Sequence, residues 1–242
     1  MSRLTRIQID GFRSLKQVAL EDLGPVSVLI GPNGSGKSNL LEALRLVTFL
    51  ASRGLSSFVA MSGGAADLLH YGPKTTPELK LRLDFETDTG SRNAYEARLA
   101  WTVGDSLVFV EERAGFQKSE DQDWQWTEAG SGHTESAFEV PTQDPAVRTL
   151  KWMLDEPELG LHPAALGLFC DLVRSASFHC QVMLATQSSA LLNHFEPDEI
   201  IVTERRLHAS SFRRLSSGDL AAWLKDYELA DLYDGNLLGG RP

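Results

Sequence analysis

The chain has 242 residues, 42% of them hydrophobic, which is enough to bury one sizeable core with or without a small appended lobe. Its formal net charge of −10 argues against a broad DNA-binding surface, and Cys170 and Cys180 lack the spacing of a zinc site or a disulfide framework. Since no apolar run is long enough to span a membrane and the start of the chain lacks a signal-peptide pattern, we expect a cytoplasmic protein with no membrane partner.

The first predicted elements are two strands and a helix joined by a glycine-rich turn. Residues 6–10 alternate polar and apolar, and residues 25–30 form an almost continuous apolar run, as in a strand buried on both faces. Residues 37–51 carry an apolar stripe at helical spacing, formed by Leu40, Leu41, Leu44 and Val47. The sequence therefore predicts a strand–turn–helix unit over residues 25–51.

The middle of the chain alternates with period two. The alternating runs are 79–85, 95–103 and 107–111, with turn residues between them, so they predict an antiparallel meander with one solvent-facing side. Residues 115–147 show no period and are rich in polar residues and glycine, with Trp124 and Trp126 isolated among them. We interpret this stretch as a long loop or as the remnant of a lobe.

Strands and helices alternate again from residue 150 onwards. Predicted strands cover 150–154, 181–185, 199–203 and 211–215, and predicted helices cover 163–177, 188–193, 216–223 and 228–233. Alternation of this kind indicates a parallel sheet flanked by helices. The predicted fold class is α/β, with a parallel core sheet and an antiparallel β meander.

A phosphate-binding loop is the strongest functional motif in the chain. It fits the pattern G-x-x-x-x-G-K-[ST] and consists of Gly31, Pro32, Asn33, Gly34, Ser35, Gly36, Lys37 and Ser38. Glycines let backbone N–H groups point at phosphate oxygens, and the N-terminus of the following helix adds a partial positive charge. We expect Lys37 to reach the β- and γ-phosphates of a nucleotide, and the Ser38 hydroxyl to bind Mg²⁺.

Two acids end the predicted strand at 150–154. Asp155 is placed to hold Mg²⁺ through a water molecule, and Glu156 is placed to polarise the attacking water as a general base. Neighbouring residues at a strand end point opposite ways, which would separate the two roles. The alternative is an ordinary acidic strand end, but the phosphate-binding loop favours the catalytic interpretation.

Several segments together resemble one family of ATPases. DEPELGLHP at 155–163 resembles the Walker B segment of the RecF/SMC-like ATPases, and of their AAA15/AAA21 group, which includes the ATPase part of the OLD proteins. IDGFRSL at 9–15 resembles the first strand and turn of that group, and GPNGSGKSNL at 31–40 resembles its Walker A, including Asn39 after the serine. The resemblance covers residues 1–113 and 150–242, and it implies a P-loop NTPase fold with an ABC/SMC-type head.

The resemblance also implies roles for two further residues. Arg13 would approach the phosphates of bound ATP; the alternative is a surface arginine on a strand turn. Gln187, in TQS at 186–188, stands where many relatives have a histidine that senses the γ-phosphate. Glutamine can still hydrogen-bond a phosphate or a water molecule, but it cannot take up a proton.

The signature loop of ABC-type heads, an LSxG-like segment before Walker B, is absent between Lys37 and Asp155. LSSGD at 215–219 matches the letters but follows Walker B, so we interpret it as a turn and helix cap. The helical lobe that relatives insert before the signature is also missing, and residues 115–147 stand in its place. An internal deletion, a naturally minimal protein or an engineered removal would each explain this.

These patterns predict a single ATPase head over 1–242. Its parts would be an N-terminal lobe at 1–113, an irregular linker or remnant at 114–149 and a C-terminal lobe at 150–242. The first hypothesis is an ATPase, serving DNA repair, recombination or phage defence, and impaired in activity if the signature is truly missing. The alternative is a nucleotide-binding module or remnant that binds ATP but hydrolyses it poorly. Expected ligands are ATP and Mg²⁺, and candidate partners are a second copy of the chain, DNA or a nuclease.

Overall fold

The computed structural model describes residues 2–138 and 153–240. The first part of the strand predicted at 150–154 lies outside these residues. The chain divides into two compact units, which are Met1–Leu23 with Glu42–Lys151, and Gly24–Leu41 with Trp152–Pro242. The division into segments at 113 and 150 stays a prediction.

The described residues contain strands and helices in both units. The strands are β1 (Ser2–Phe12), β2 (Leu15–Leu20), β3 (Val26–Ile30), β4 (Glu78–Thr87), β5 (Arg92–Thr102), β6 (Ser106–Gln117), β7 (Gln125–Gly130), β8 (Met153–Asp155), β9 (Val182–Thr186), β10 (Ile200–Arg206) and β11 (Ala209–Arg214). The α-helices are α1 (Lys37–Ala51), α2 (Leu55–Met61), α3 (Ala65–Leu68), α4 (Pro163–Ser177), α5 (Ser189–Leu192), α6 (Ser217–Leu220) and α7 (Leu229–Asp234). No helix of this described part is long and apolar enough to cross a membrane.

The first unit is built on an antiparallel sheet with the order β2-β1-β4-β5-β6-β7. Buried and more exposed positions alternate along β4, from Leu79 to Phe85, as the sequence predicts for a strand with one solvent-facing side. The predicted meander is therefore confirmed. Its strands run longer than the alternating runs, because cross-strand pairing continues where the apolar pattern has stopped.

The prediction of a loop over 115–147 is wrong for part of that stretch. Strand β7 pairs with β6 inside it, and the rings of Trp124 and Trp126 stack at 5.6 Å between centroids. The Arg113 guanidinium lies 4.3 Å from the centroid of the Trp126 ring. The polar composition hid this edge strand, because its stability comes from aromatic and cation–π contacts rather than from a buried apolar face.

A fully buried carboxylate orders the residues that follow β7. Glu112 on β6 is 0% exposed and accepts hydrogen bonds from Tyr95 Oη at 2.8 Å, from His133 Nε2 and the Ala137 N–H at 2.9 Å each, and from Ser136 Oγ. Burial, and then the charge of Glu112, raise the pKa of Tyr95 well above its usual value, so its hydroxyl stays a donor. Residues 133–137 are thereby bound to the sheet.

The second unit is built on a mostly parallel sheet with the order β11-β10-β3-β9-β8, in which only β11 runs antiparallel to its neighbour. Strands β3 and β9 are buried at all five positions, which explains their continuous apolar sequences. The core also includes Val173 on α4, Leu191 on α5 and Leu232 on α7. The predicted α/β class with a parallel core sheet is confirmed.

Several short elements differ from the predictions. Strand β2 and helices α2 and α3 have no counterpart in them, because each is too short to show a period. The helix predicted at 216–223 is the four-residue α6 followed by a 3-10 turn at Trp223–Lys225. Ser216 Oγ accepts from the Asp219 N–H at 3.4 Å, so LSSGD is a helix cap, as predicted.

Candidate nucleotide-binding site

The phosphate-binding loop joins the end of β3 to the start of α1. Gly34 and Gly36 have φ values of +74° and +113°, a left-handed region that glycine adopts without the strain of a side chain. Gly31 is required for another reason: a Cβ there would lie 2.2 Å from the Thr203 carbonyl oxygen. The loop can therefore curl only because these three positions are glycine.

Lys37 and Ser35 are the buried polar side chains of this loop. Lys37 is 4% exposed, and its Nζ donates to the carbonyl oxygens of Gly31 at 2.7 Å and Pro32 at 3.1 Å. Burial lowers the pKa of Lys37, while the negative charges of Glu156, Asp155 and Glu158 act in the opposite direction. Ser35 is 1% exposed, and its hydroxyl has no hydrogen-bond partner in the part of the chain that the structure describes.

The residue types of the loop suit a nucleoside triphosphate with Mg²⁺. Its glycines leave the backbone open to close approach, and the buried Ser35 hydroxyl is a polar group still to be satisfied. Ser38 and Asp155 are exposed and offer the hard oxygen atoms that Mg²⁺ prefers. Within residues 2–138 and 153–240 no group of three His, Cys, Asp or Glu could hold a metal ion. A magnesium ion here would therefore need oxygen atoms from the phosphates and water as well.

The two predicted acids lie at the carboxyl end of β8. Asp155 pairs with Ala185 of β9 and is exposed, and the Glu156 N–H extends this pairing with a 2.8 Å bond to the Ala185 carbonyl. The strand ends at Asp155, and Glu156 has a φ of +46°. The left-handed backbone at Glu156, rather than strand alternation, therefore sets the direction of its side chain. A non-glycine residue held in this conformation is strained, and such residues cluster at functional sites.

The end of β9 brings Gln187 to Glu156. Thr186 pairs with Ile30, the last residue before the phosphate-binding loop, so the carboxyl ends of β3, β9 and β8 share one edge of the sheet. The Gln187 side-chain amide donates to Glu156 Oε1. The structure thus brings together Lys37, Asp155, Glu156 and Gln187, four of the residues predicted from the sequence.

Arg13 lies in the first unit. It has a φ of +45°, its N–H donates to the Leu68 carbonyl at 2.8 Å, and its guanidinium pairs with Glu42 at 3.5 Å. Glu42 belongs to the same unit as Arg13. The approach of Arg13 to phosphates stays a prediction, as does the role of Asn39.

Two residues near the site were missed by the sequence analysis. Glu158 accepts hydrogen bonds from Thr186 Oγ1 and from the Gln187 N–H. Arg205, exposed near the end of β10, lies 3.4 Å from the Gly34 carbonyl. The acidic motif at 155–158 could have singled out Glu158. Nothing in the sequence separates Arg205 from the other arginines of β10 and β11.

His162, in the Walker B-like segment at 155–163, stands directly before α4. Its Nδ1 accepts from the Ala164 N–H at 3.2 Å, and Pro163 follows it at the first position of α4. Histidine therefore serves as the helix cap at this position.

Residues 26–149 of this chain match the sequence model of a known protein family. This family, AAA_21, is described as "AAA domain, putative AbiEii toxin, Type IV TA system". The match spans half of the chain and includes residues 114–149. The prediction that the family resemblance fails in that span is therefore wrong.

Curated relatives and solved structures agree with this family. The chain is 52% identical over 44 residues to the DNA replication and repair protein RecF of Acinetobacter baumannii, covering 18% of this chain and 12% of that protein. It is 31% identical over 169 residues to the chromosome partition protein Smc of Cereibacter sphaeroides, which covers 68% of this chain and 12% of that protein. It is 32% identical over 108 residues to the OLD nuclease of Thermus scotoductus, which covers 45% of this chain and 20% of that protein. The chain thus spans a fifth or less of the length of each of these proteins.

The fold is that of an SMC head. The chain superposes with a TM-score of 0.60 on the Smc head domain derived from Pyrococcus furiosus, which was solved with an extended coiled coil and bound to the C-terminal domain of ScpA. The superposition covers 93% of this chain and 99% of that one, and the two sequences are 12% identical. The chain belongs to the AAA_21 family and has the P-loop fold of the ABC/SMC-like ATPases.

Proposed function

We propose that this chain binds ATP with Mg²⁺ at the loop from Gly31 to Ser38 and hydrolyses it to ADP and phosphate. One observation carries the proposal: the phosphate-binding loop, the acids Asp155 and Glu156, and Gln187 meet at the carboxyl edge of a single parallel sheet. Ligands of open α/β sheets bind at the carboxyl ends of the strands. The arrangement combines phosphate recognition with a carboxylate base.

Each residue has a distinct part in the proposed reaction. Lys37 turns from the loop carbonyls to the phosphate oxygens, and the loop N–H groups neutralise the remaining charge. Ser38 and Asp155 would hold Mg²⁺, which offsets the negative charge that develops on the phosphates. Glu156 accepts a proton from the attacking water, and the bond from Gln187 to its Oε1 fixes the carboxylate and leaves Oε2 for that proton.

Steady-state ATP hydrolysis tests the proposal. Wild-type protein should release phosphate in the presence of Mg²⁺, and chelating the metal with EDTA should abolish the release. Lys37→Ala and Glu156→Gln should each lower kcat by about 100-fold or more, since a general base typically supplies a factor of that size. Glu228→Gln is the matched control, because Glu228 is an exposed glutamate of the same unit that accepts from Asn193. A wild-type rate equal to that of both site variants would contradict the proposal.

A nucleotide-binding module with little hydrolysis is the second candidate function. One observation favours it: no LSxG-like segment stands between Lys37 and Asp155 in the sequence. Equilibrium binding of a fluorescent ATP analogue separates the two candidates. Tight binding without turnover supports the module, whereas absence of binding leaves a degenerate remnant.

The wider role of the protein is proposed from its relatives. RecF, Smc and OLD nuclease, named for DNA repair, chromosome partition and nuclease activity, support a role in DNA repair, recombination or phage defence. The proposed partners are a second copy of the chain, DNA or a nuclease, and the proposed location is the cytoplasm. Adding duplex DNA to the hydrolysis assay tests the DNA partner, for which a rise in kcat is expected.

A further inference from the structure

Glu158 holds the end of strand β9 from the turn that follows the two acids. Thr186 Oγ1 donates to Glu158 Oε1, and the Gln187 N–H donates to the same oxygen at 3.4 Å. The Thr186 hydroxyl also accepts from the Ser188 N–H at 2.9 Å, so its one proton is committed to Glu158. Thr186 is 0% exposed, so its hydroxyl is shielded from solvent.

These contacts link Glu158 to the proposed base. Glu158 fixes the main chain at Gln187, and the side chain of Gln187 donates to Glu156 Oε1. The Glu156 N–H is in turn bonded to the Ala185 carbonyl, next to Thr186. The turn after β8 and the end of β9 are therefore joined by four hydrogen bonds among these residues, one of which involves the carboxylate that would accept a proton.

The second oxygen of Glu158 has no purely structural explanation. Oε2 is buried and lacks a hydrogen-bond partner within residues 2–138 and 153–240. Leaving a buried carboxylate oxygen unpaired costs free energy that a neutral acceptor would not cost. An unsatisfied buried carboxylate oxygen needs an explanation, and a role in the neighbouring site is one.

We propose that Glu158 is a positioning residue, which orients Gln187 and, through it, the Glu156 carboxylate for hydrolysis. This inference rests on the proposed function, because a base must be oriented only if water is activated. Glu158 itself touches neither nucleotide nor water in this scheme. Its loss should therefore lower kcat and leave ATP binding intact.

The first test is a split between kcat and KM. Glu158→Ala should lower kcat by roughly tenfold or more and leave KM within about twofold, because it removes an interaction needed only in the transition state. Glu158→Gln keeps an acceptor oxygen for Thr186 and should recover most of the lost kcat. Thr186→Val removes the donor hydroxyl with little change of shape and should reproduce the alanine variant. Glu228→Ala is the control and should match the wild type.

The second test needs no turnover. Hydrogen exchange in the nucleotide-free protein should be faster at the Gln187 and Ser188 amides in Glu158→Ala than in the wild type, and Glu158→Gln should restore it. If the wild type hydrolyses no more ATP than Glu156→Gln, the proposed function is wrong. The hydrogen-exchange rates then test by themselves whether Glu158 holds the main chain at Gln187. Unchanged exchange at both amides, or a Glu158→Ala variant with wild-type kcat, overturns the inference.

Discussion

Gly31→Ala tests whether the phosphate-binding loop is confined by its neighbouring strand. The new Cβ would lie 2.2 Å from the Thr203 carbonyl oxygen and 3.0 Å from Ser35 Oγ. Contacts of this type are normally about 3.5 Å or longer, so the two backbones must separate by about 1 Å. They belong to adjacent parallel strands, in which Ile30 pairs with Val202, and neither can move alone. Overpacking typically costs 1–3 kcal/mol, and we expect about 3 kcal/mol here because the obstacle is backbone.

Gly34→Ala is the matched control within the same loop. A Cβ at Gly34 meets nothing within 4 Å, so the change costs only the strain of a side chain at a φ of +74°, about 1 kcal/mol. Urea denaturation of both variants without nucleotide, monitored by circular dichroism, should give unchanged m-values. The free energy of unfolding of Gly31→Ala should be lower than that of Gly34→Ala by about 2 kcal/mol. Equal losses of stability would refute the steric argument.

Two further changes test the ordering of the first unit. Glu112→Ala leaves the hydroxyls of Tyr95 and of the buried Ser136 without this acceptor, and at about 1–3 kcal/mol for each buried unsatisfied group we expect a loss of roughly 2–4 kcal/mol in urea denaturation. A loss below about 1 kcal/mol would contradict the network. Glu135→Ala removes a carboxylate that accepts from the Leu55 and Ser56 N–H groups at 2.7 and 3.0 Å, so it should cost about 1 kcal/mol and speed hydrogen exchange at the start of α2. Unchanged exchange there would show that this cap adds nothing.

The predictable part of the fold is the part in which local sequence and burial agree. Strand β3 and helices α1 and α4 match their predictions closely, because a strand buried on both faces and a long amphipathic helix leave clear apolar patterns. Strand β7 shows no such apolar pattern, because most of its positions are exposed. Its stabilising partners are Arg113 on the adjacent strand β6 and Arg82 on the more distant strand β4, which both lie over the ring of Trp126. Such contacts depend on a strand order and register that the sequence does not display.

The predictable part of the site is the part written in one continuous segment. The spacing of the loop and the position of the acids after a strand identify Lys37, Asp155 and Glu156 without any structure. The pairing of Gln187 with Glu156 spans 31 residues, and that of Glu158 with Thr186 spans 28. Only the parallel pairing of β8 with β9 makes these residues neighbours. The proposed orienting contacts of Glu158 and Gln187 are therefore harder to predict from the sequence than the positions of Lys37, Asp155 and Glu156.

Hydrogen bonds within the chain already satisfy the two charged groups that hydrolysis would use. Lys37 donates to two loop carbonyls, and Glu156 accepts from Gln187. Bound phosphate must replace the first set of bonds, so the measured affinity for ATP reports the difference between phosphate and carbonyl contacts rather than the full strength of the phosphate contacts. The bond to Glu156 need not be replaced, because the Gln187 side-chain amide has two N–H groups and can keep one on the carboxylate while the other donates to phosphate or water. Binding should therefore reorganise Lys37 and leave the Glu156–Gln187 pair in place, and this explains why changes at Glu158 should alter kcat but not ATP affinity.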